Sequence, residues 1–257
     1  MEIADKYAQD MESLFRAWKN KAPAGEIDHG KNVFIRDGVV CPNRWFSQKV
    51  RPLFLLKEAY HGTGDWDLIK EHLLTKENIG KHITWKRISQ WTRGLLHTSS
   101  TYLCPFADEA AMHRFGNEQL RQIAVVNVKK SNGVNGSEQD MLLQYAAYDR
   151  VELRREIELI DPTVIVCGYT MSSLDLIMGY NIKKQKNQNF YYFIRLNNHD
   201  VIVLDYYHPS NHYPDILNYY GLMGIYQQAL IHQGEGCAQD EVVPGSCSGP
   251  HSNRAVG

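Results

Sequence analysis

Nowhere in the 257 residues is there an apolar run long enough to cross a bilayer. The opening MEIADKYAQDMESLF mixes acids, bases and apolar residues without the basic-then-apolar order of a signal peptide. Both features argue against insertion or secretion and make the cytoplasm the expected compartment. Paired cysteines are missing too. Cys41, Cys104, Cys167, Cys237 and Cys247 form an odd set with no C-x-x-C spacing, against a disulfide framework or a common zinc or iron–sulfur site. They read as reduced and mostly structural. Nor is there an excess of either charge: 28 Lys plus Arg stand against 29 Asp plus Glu, a formal net charge of −1. No global basic field invites a polyanion, so any nucleic acid must be met by a local patch. What the chain does have is 43% hydrophobic residues, enough for one large α/β core or two small ones.

Residues 4 to 20 place Ala4, Tyr7, Met11, Leu14, Phe15 and Trp18 at spacings of three and four, predicting a helix with one buried face. Residues 1–30 read as that helix and a polar lead-in. Val33 to Ile35 and the turn Arg36-Asp37-Gly38 read as an edge hairpin or ordered lead-in loop. Four short apolar runs then end in polar loops. They are Pro52 to Leu56 before Lys57-Glu58-Ala59-Tyr60, Ile123 to Val128 before Lys129-Lys130-Ser131, Thr163 to Cys167 before Gly168, and Val201 to Leu204 before Asp205 to Ser210. Each fits a strand buried on both faces. One helical stretch is expected over 137 to 160, closed by Asp161-Pro162. Phe190 to Leu196 should pair with 201 to 204 through the turn Asn197 to Asp200. Strands alternating with helices predict a three-layer α/β/α sandwich with a central, mostly parallel sheet of about four strands, forming a single domain over 1–232. Ligands of such sheets sit beyond the carboxyl ends of the strands. From Gln233 to the end, small and polar residues read as a flexible tail.

Three of those strand ends carry a carboxylate with an aromatic (Glu58, Tyr60), an amide (Asn127) and a histidine before proline (His208-Pro209-Ser210). Here the chain resembles the uracil-DNA glycosylase superfamily. Its members read Gly-Gln-Asp-Pro-Tyr-His-Gly or Gly-Glu-Ala-Pro-Gly after the first core strand, carry an asparagine at a later strand end, and have His-Pro-Ser after the last. Leu56 to Gly62 here reads L-K-E-A-Y-H-G, and Ile157 to Gly168, IELIDPTVIVCG, looks like the helix and strand before the last motif. The resemblance spans roughly residues 33 to 231. It implies that Glu58 activates water, that Tyr60 limits base size, that Asn127 hydrogen-bonds a flipped base and that His208 polarises the base carbonyl. It implies DNA as partner and hydrolysis without metal or cofactor. No protein or membrane partner is expected.

The chemistry fits these residue types independently. Breaking an N-glycosidic bond builds an oxocarbenium-like sugar and an anionic base, which calls for negative charge near the anomeric carbon and a donor at the base oxygen. A carboxylate such as Glu58 can also orient or deprotonate a water. A neutral imidazole such as His208 can donate to the leaving anion. The carboxamide of Asn127 offers a donor and an acceptor to a pyrimidine edge. Trp66, and after it Trp85, are the candidates for stacking on the base. Lys57 counts as a substrate-binding candidate beside the acid. DNA contact is expected from Lys129, Lys130, Ser210, Asn211 and His212, with Lys183, Lys184 and Lys186 as a further basic turn more simply read as solvated. Tyr213 or His212 stands where the family inserts an apolar wedge.

Departures from the family pattern qualify the substrate. Lys57 replaces Gln or Gly, Ala59 replaces Pro, and Asn211-His212 replaces the usual continuation. Lys57, Lys129 and His212 together extend the expectation to bulky modified pyrimidines of phage genomes, and so to antiviral defence as well as repair. Simpler readings stand beside these: His208-Pro209-Ser210 alone is a turn, Glu58 alone is a helix cap or a partner of Lys57, and Cys167 is packing. Two alternative functions stay open: a catalytically silent nucleic-acid-binding module and a small-molecule nucleoside hydrolase.

Overall fold

The computed structural model describes residues 2–60, 63–75, 82–107, 116–133, 138–182 and 190–240, without the side chains at 116–117 and 235–240. Helix α1 (Ile3–Lys19) buries Tyr7, Met11, Phe15 and Trp18, the face expected from their spacing. A six-stranded sheet follows, in the spatial order β2-β5-β3-β6-β8-β7. Its members are β2 (Gly38–Val39), β3 (Pro52–Glu58), β5 (Ala124–Lys129), β6 (Val164–Gly168), β7 (Tyr191–Leu196) and β8 (His199–Tyr206). The four central strands β5, β3, β6 and β8 are the four apolar runs, and they are mutually parallel. The short β2 and the hairpin strand β7 close the two edges antiparallel. Residues 35–39 do not form a hairpin: β1 (Ile35–Arg36) pairs parallel with β4 (Trp66–Asp67), and β2 joins the main sheet.

Each central strand divides its side chains between two apolar layers, as the two-residue pleat requires. Leu53, Leu55, Val126, Ile165, Cys167, Val201 and Val203 pack with α1, α4 (Gln139–Tyr148), α5 (Arg150–Ile160) and α6 (Met171–Met178). Phe54, Leu56, Val125, Val166, Ile202 and Leu204 pack with α3 (Ile83–His97) and α7 (Asp215–Asp240). Each such large side chain contributes about 1.5–3 kcal/mol by leaving water. The protein is therefore a mixed α/β molecule whose mostly parallel sheet is flanked by helices, an arrangement compatible with three layers. Among the described residues no helix is long and apolar enough to cross a membrane.

The expected helix over 137–160 is in fact two. The break falls at Asp149, whose buried carboxylate accepts the indole N–H of Trp18 at 2.8 Å and lies 2.9 Å from His29 Nε2. Helix α7 continues to Asp240, so 233–240 extend it rather than beginning a tail; 241–257 lie outside the described residues, as do Lys183, Lys184 and Lys186. In the β7–β8 turn, Asn197 and Asn198 have φ of 44° and 68°, the paired left-handed conformation that a two-residue hairpin needs and asparagine tolerates.

Candidate active site

Strand order reverses beside β3, whose neighbours β5 and β6 both follow it in sequence. In open parallel sheets this is where a crevice opens beyond the carboxyl ends of the strands. A cavity of about 180 Å³ is found at that edge, several times the roughly 30 Å³ share of one water. Its lining includes Glu58 and Tyr60 from the end of β3, Asn127 from β5, His208 after β8, and Trp66 from β4. Five residues singled out in the sequence thus share one space. Trp85, the second stacking candidate, joins them, and so do His72, His82 and Thr84, three residues the sequence did not single out. Trp85 donates its indole N–H to His72 Nε2 at 3.1 Å, fixing one aromatic wall.

Glu58 is buried, and its Oε2 accepts from Lys129 Nζ at 3.0 Å. Its partner is therefore the lysine one strand away and not the adjacent Lys57. Gly133 closes over the carboxyl group. A Cβ at that position would lie 2.7 Å from Glu58 Cδ and 2.9 Å from Oε1, while its N–H donates to Ala59 at 2.9 Å. Only glycine lets the backbone pass so near the acid.

Asn127 is held from behind by Asp37. One Asp37 oxygen accepts both the Asn127 backbone N–H, at 2.8 Å, and its side-chain Nδ2, at 3.0 Å. That leaves the carbonyl oxygen and the second Nδ2 hydrogen for the cavity. Asp37 in turn pairs with Lys130, which lies 2.7 Å from Glu156, and all three side chains are wholly buried. One ammonium between two carboxylates would leave a net negative charge in a dry interior. Burial, with Asp37 adding to it against the opposing pull of Lys130, holds the Glu156 carboxyl well above its ordinary range. A proton on Glu156 makes the cluster neutral. Burial pulls the Lys130 ammonium down, but Asp37 and Glu156 more than offset it, and its affinity for a proton is raised.

His208 is set by its own turn. Ser210 donates its backbone N–H to Nδ1 at 3.2 Å, and Ser210 Oγ lies 2.7 Å from the same atom. With Nδ1 accepting, the proton of the neutral ring resides on Nε2. Burial, aided by the Lys57 ammonium, pushes the imidazole down to about 4, so the ring is neutral at pH 7. The turn itself hangs from Arg87, an all but buried residue of α3 that the sequence did not single out. Its guanidinium donates to the carbonyls of Pro209 (2.9 Å), Asn211 (2.5 Å) and Tyr213 (2.7 Å) and to Asp215 (2.7 Å). Its position in an amphipathic helix gives no sign of this role.

Several expected contacts are corrected. Lys130 is buried in its ion-pair cluster, and Lys129 is buried against Glu58, so neither presents an ammonium to a phosphate. Lys57 does not line the cavity. It follows the opposite pleat from Glu58, with its Nζ 5.0 Å from the centre of the Tyr169 ring, and acts on the site only through its charge on His208. Asn211 spends its amide inside the loop, accepting from Tyr213 N–H and exchanging hydrogen bonds with Asn218. Ser210 serves His208, and His212 is exposed outside the cavity lining. Cys167 is buried, and burial pushes its thiol up, in keeping with a packing role. Among the described residues no group of His, Cys, Asp and Glu could hold a metal ion. No protein-family model and no curated protein matches the chain.

Proposed function

We propose that the protein is a divergent DNA glycosylase of the uracil-DNA glycosylase type, which draws a uracil-like or modified pyrimidine out of DNA and hydrolyses its bond to deoxyribose. The observation that carries this reading is the convergence of Glu58 from the end of β3, Asn127 from within β5 and His208 from the loop after β8 on one cavity walled by Tyr60, Trp66 and Trp85. Glu58, oriented by Lys129, supplies negative charge to the developing sugar cation and a hydrogen-bond acceptor for the attacking water. His208, neutral with its proton on Nε2, donates to the base oxygen as charge collects there and need not give the proton up. Asn127 reads the pyrimidine edge, and an indole stacks on its face. No step requires a metal or organic cofactor.

Of the residues that suggested a bulky modified base, Lys57 and His212 lie outside the cavity lining and Lys129 is committed to Glu58. That option now rests on the polar extension of the cavity by His72, His82 and Thr84. The choice of base, and with it repair against antiviral defence, is decided by assay. Single strands and duplexes carrying uracil, hydroxymethylcytosine or glucosylated hydroxymethylcytosine are incubated with the protein and then cleaved by alkali at abasic sites. One of the three is expected to break, with Glu58→Gln and His208→Ala each slowing product formation about 10²- to 10³-fold. Breakage of none, with DNA still bound, indicates a silent binding module. Activity on free nucleosides alone indicates a small-molecule hydrolase.

A further inference from the structure

With Lys129 and Lys130 buried, what the carboxyl edge of the sheet displays among the described residues is chiefly aromatic. Tyr60 follows β3, Tyr169 follows β6, Tyr207 follows β8, and Phe190 immediately precedes β7. Because β7 runs antiparallel to β8, its start lies at the same edge: the Asp205 N–H donates to the Phe190 carbonyl at 2.9 Å. The four strands β3, β6, β8 and β7 are consecutive neighbours in the sheet. One aromatic residue therefore stands at each of four adjacent strand ends, beginning at the cavity mouth.

All four are exposed: Tyr60 by 45%, Tyr169 by 60%, Tyr207 by 46% and Phe190 by 60%. Two hold an unfavourable backbone to be there. Tyr169 and Phe190 have φ of 64° and 59°, left-handed values that bulky side chains avoid unless their surroundings impose them. The Tyr169 N–H is fixed between the carbonyls of Cys167 and Tyr206, each at 2.9 Å. The row is aromatic and not generally greasy. None of the exposed aliphatic side chains among the described residues, Ile3, Leu74, Ile83, Val151, Ile216 and Leu217, lies at these four strand ends. A ring face with little aliphatic surround suits a flat π-surface better than a protein's aliphatic knobs. The Lys57 ammonium accompanies the row, over the Tyr169 ring, and complements a phosphate.

We propose that this edge is a stacking track for unpaired nucleic acid, on which bases flanking the one in the cavity lie against Tyr169, Tyr207 and Phe190 while Lys57 meets a backbone phosphate. Adjacent strands are spaced by about 4.8 Å, so the track covers a few nucleotides of an extended strand. The inference deepens the glycosylase reading by naming the form of its substrate, single-stranded or locally unpaired DNA, and rests on that reading for the chemical identity of the strand.

The test is binding, measured apart from excision. Fluorescence anisotropy is recorded with a labelled oligothymidylate, and with the same strand annealed to its complement, over a range of salt. The single strand is expected to bind at least about tenfold more tightly than the duplex. Tyr169→Asn and Phe190→Asn keep residues that tolerate the left-handed backbone, and Tyr207→Ala removes the third ring; each is expected to weaken binding about 5- to 100-fold. The phosphate contact of Lys57 should account for about 0.7 of the slope of log K against log salt, a share lost in Lys57→Met. Tyr102→Ala, an exposed ring away from these strand ends, should bind like the wild type. Equal or tighter duplex binding, unchanged affinity in the three track variants, or no binding at all overturns the track. Binding as expected without release of any base leaves the track standing and removes the glycosylase reading, whereas excision without strand preference does the reverse.

Discussion

At the scale of single residues, the site works through neighbours that fix protons and orientations. Ser210 determines which nitrogen of His208 accepts, and burial with Lys57 keeps the ring neutral. The folded value is about 4, below the ordinary 6.5. Between those two values the unfolded chain binds more protons than the native one, so His208 makes stability rise with pH across that window and contributes no slope above it. An NMR titration of the imidazole nitrogens is expected to find His208 neutral down to about pH 5. In Lys57→Met the midpoint should move part of the way back towards 6.5, since burial, the larger cause, remains. A midpoint near 6.5 in the wild type would remove the neutral donor from the account. Glu58, Asn127 and His208 were legible in the sequence because Glu58 and His208 follow apolar runs that fit buried strands and Asn127 is the one polar residue within another. The partners Asp37 and Arg87 were not, since nothing local tells a turn aspartate or a helical arginine what it will meet 90 or 122 positions away.

At the scale of elements, the loop after β8 keeps its shape through α3. Arg87 gives it three carbonyl contacts and ties it to Asp215, which also pairs with Lys86 at 2.7 Å. Charge-assisted hydrogen bonds of this kind contribute roughly 1.5–3 kcal/mol each. Arg87→Lys keeps the charge but loses the planar fork. It is expected to lower thermal stability modestly and activity more strongly, about 10²-fold, as His208 drifts from its place. Paired measurements of melting temperature and turnover check this; activity falling only in proportion to the folded fraction would leave Arg87 merely structural. The element pattern was otherwise well marked: α1 by its three-and-four spacing, the parallel strands by their apolar runs, the β7–β8 hairpin by its asparagines. The break in the 137–160 helix was hidden, because Asp149 is a tolerable helix residue until Trp18 and His29 claim its carboxylate.

At the scale of the whole molecule, a buried line of polar groups runs from Asn127 through Asp37 and Lys130 to Glu156 on α5, joining the cavity side of the sheet to the opposite helical layer. Burial holds the Glu156 carboxyl above its ordinary range in the fold, whereas in the unfolded chain it ionises above about 4.5. Native protein then binds the extra proton, so this group's contribution is complete below 4.5 and is lost as pH rises towards the folded value. Glu156→Gln keeps a donor for Asp37 and an acceptor for Lys130. It is expected to flatten the fall of stability with rising pH above about 4.5, in urea unfolding at several pH values. Lys130→Met, which strands Asp37, should instead cost about 3–5 kcal/mol. Sequence reading placed two lysines wrongly for a physical reason: a lysine after a strand is normally solvated, and only the layer packed above it reveals that Lys130 in this line, and Lys129 beside Glu58, are internal counter-ions.

The central claim is that Glu58, Asn127 and His208 act together on one nucleobase drawn from DNA. Mass spectrometry of free bases after incubation with uracil-containing, hydroxymethylated and glucosylated DNA tests it most directly. The account predicts one base released by the wild type in step with new abasic sites, and release slowed at least 10²-fold in Glu58→Gln. No free base from any of the three DNAs, or undiminished release by Glu58→Gln, would contradict it.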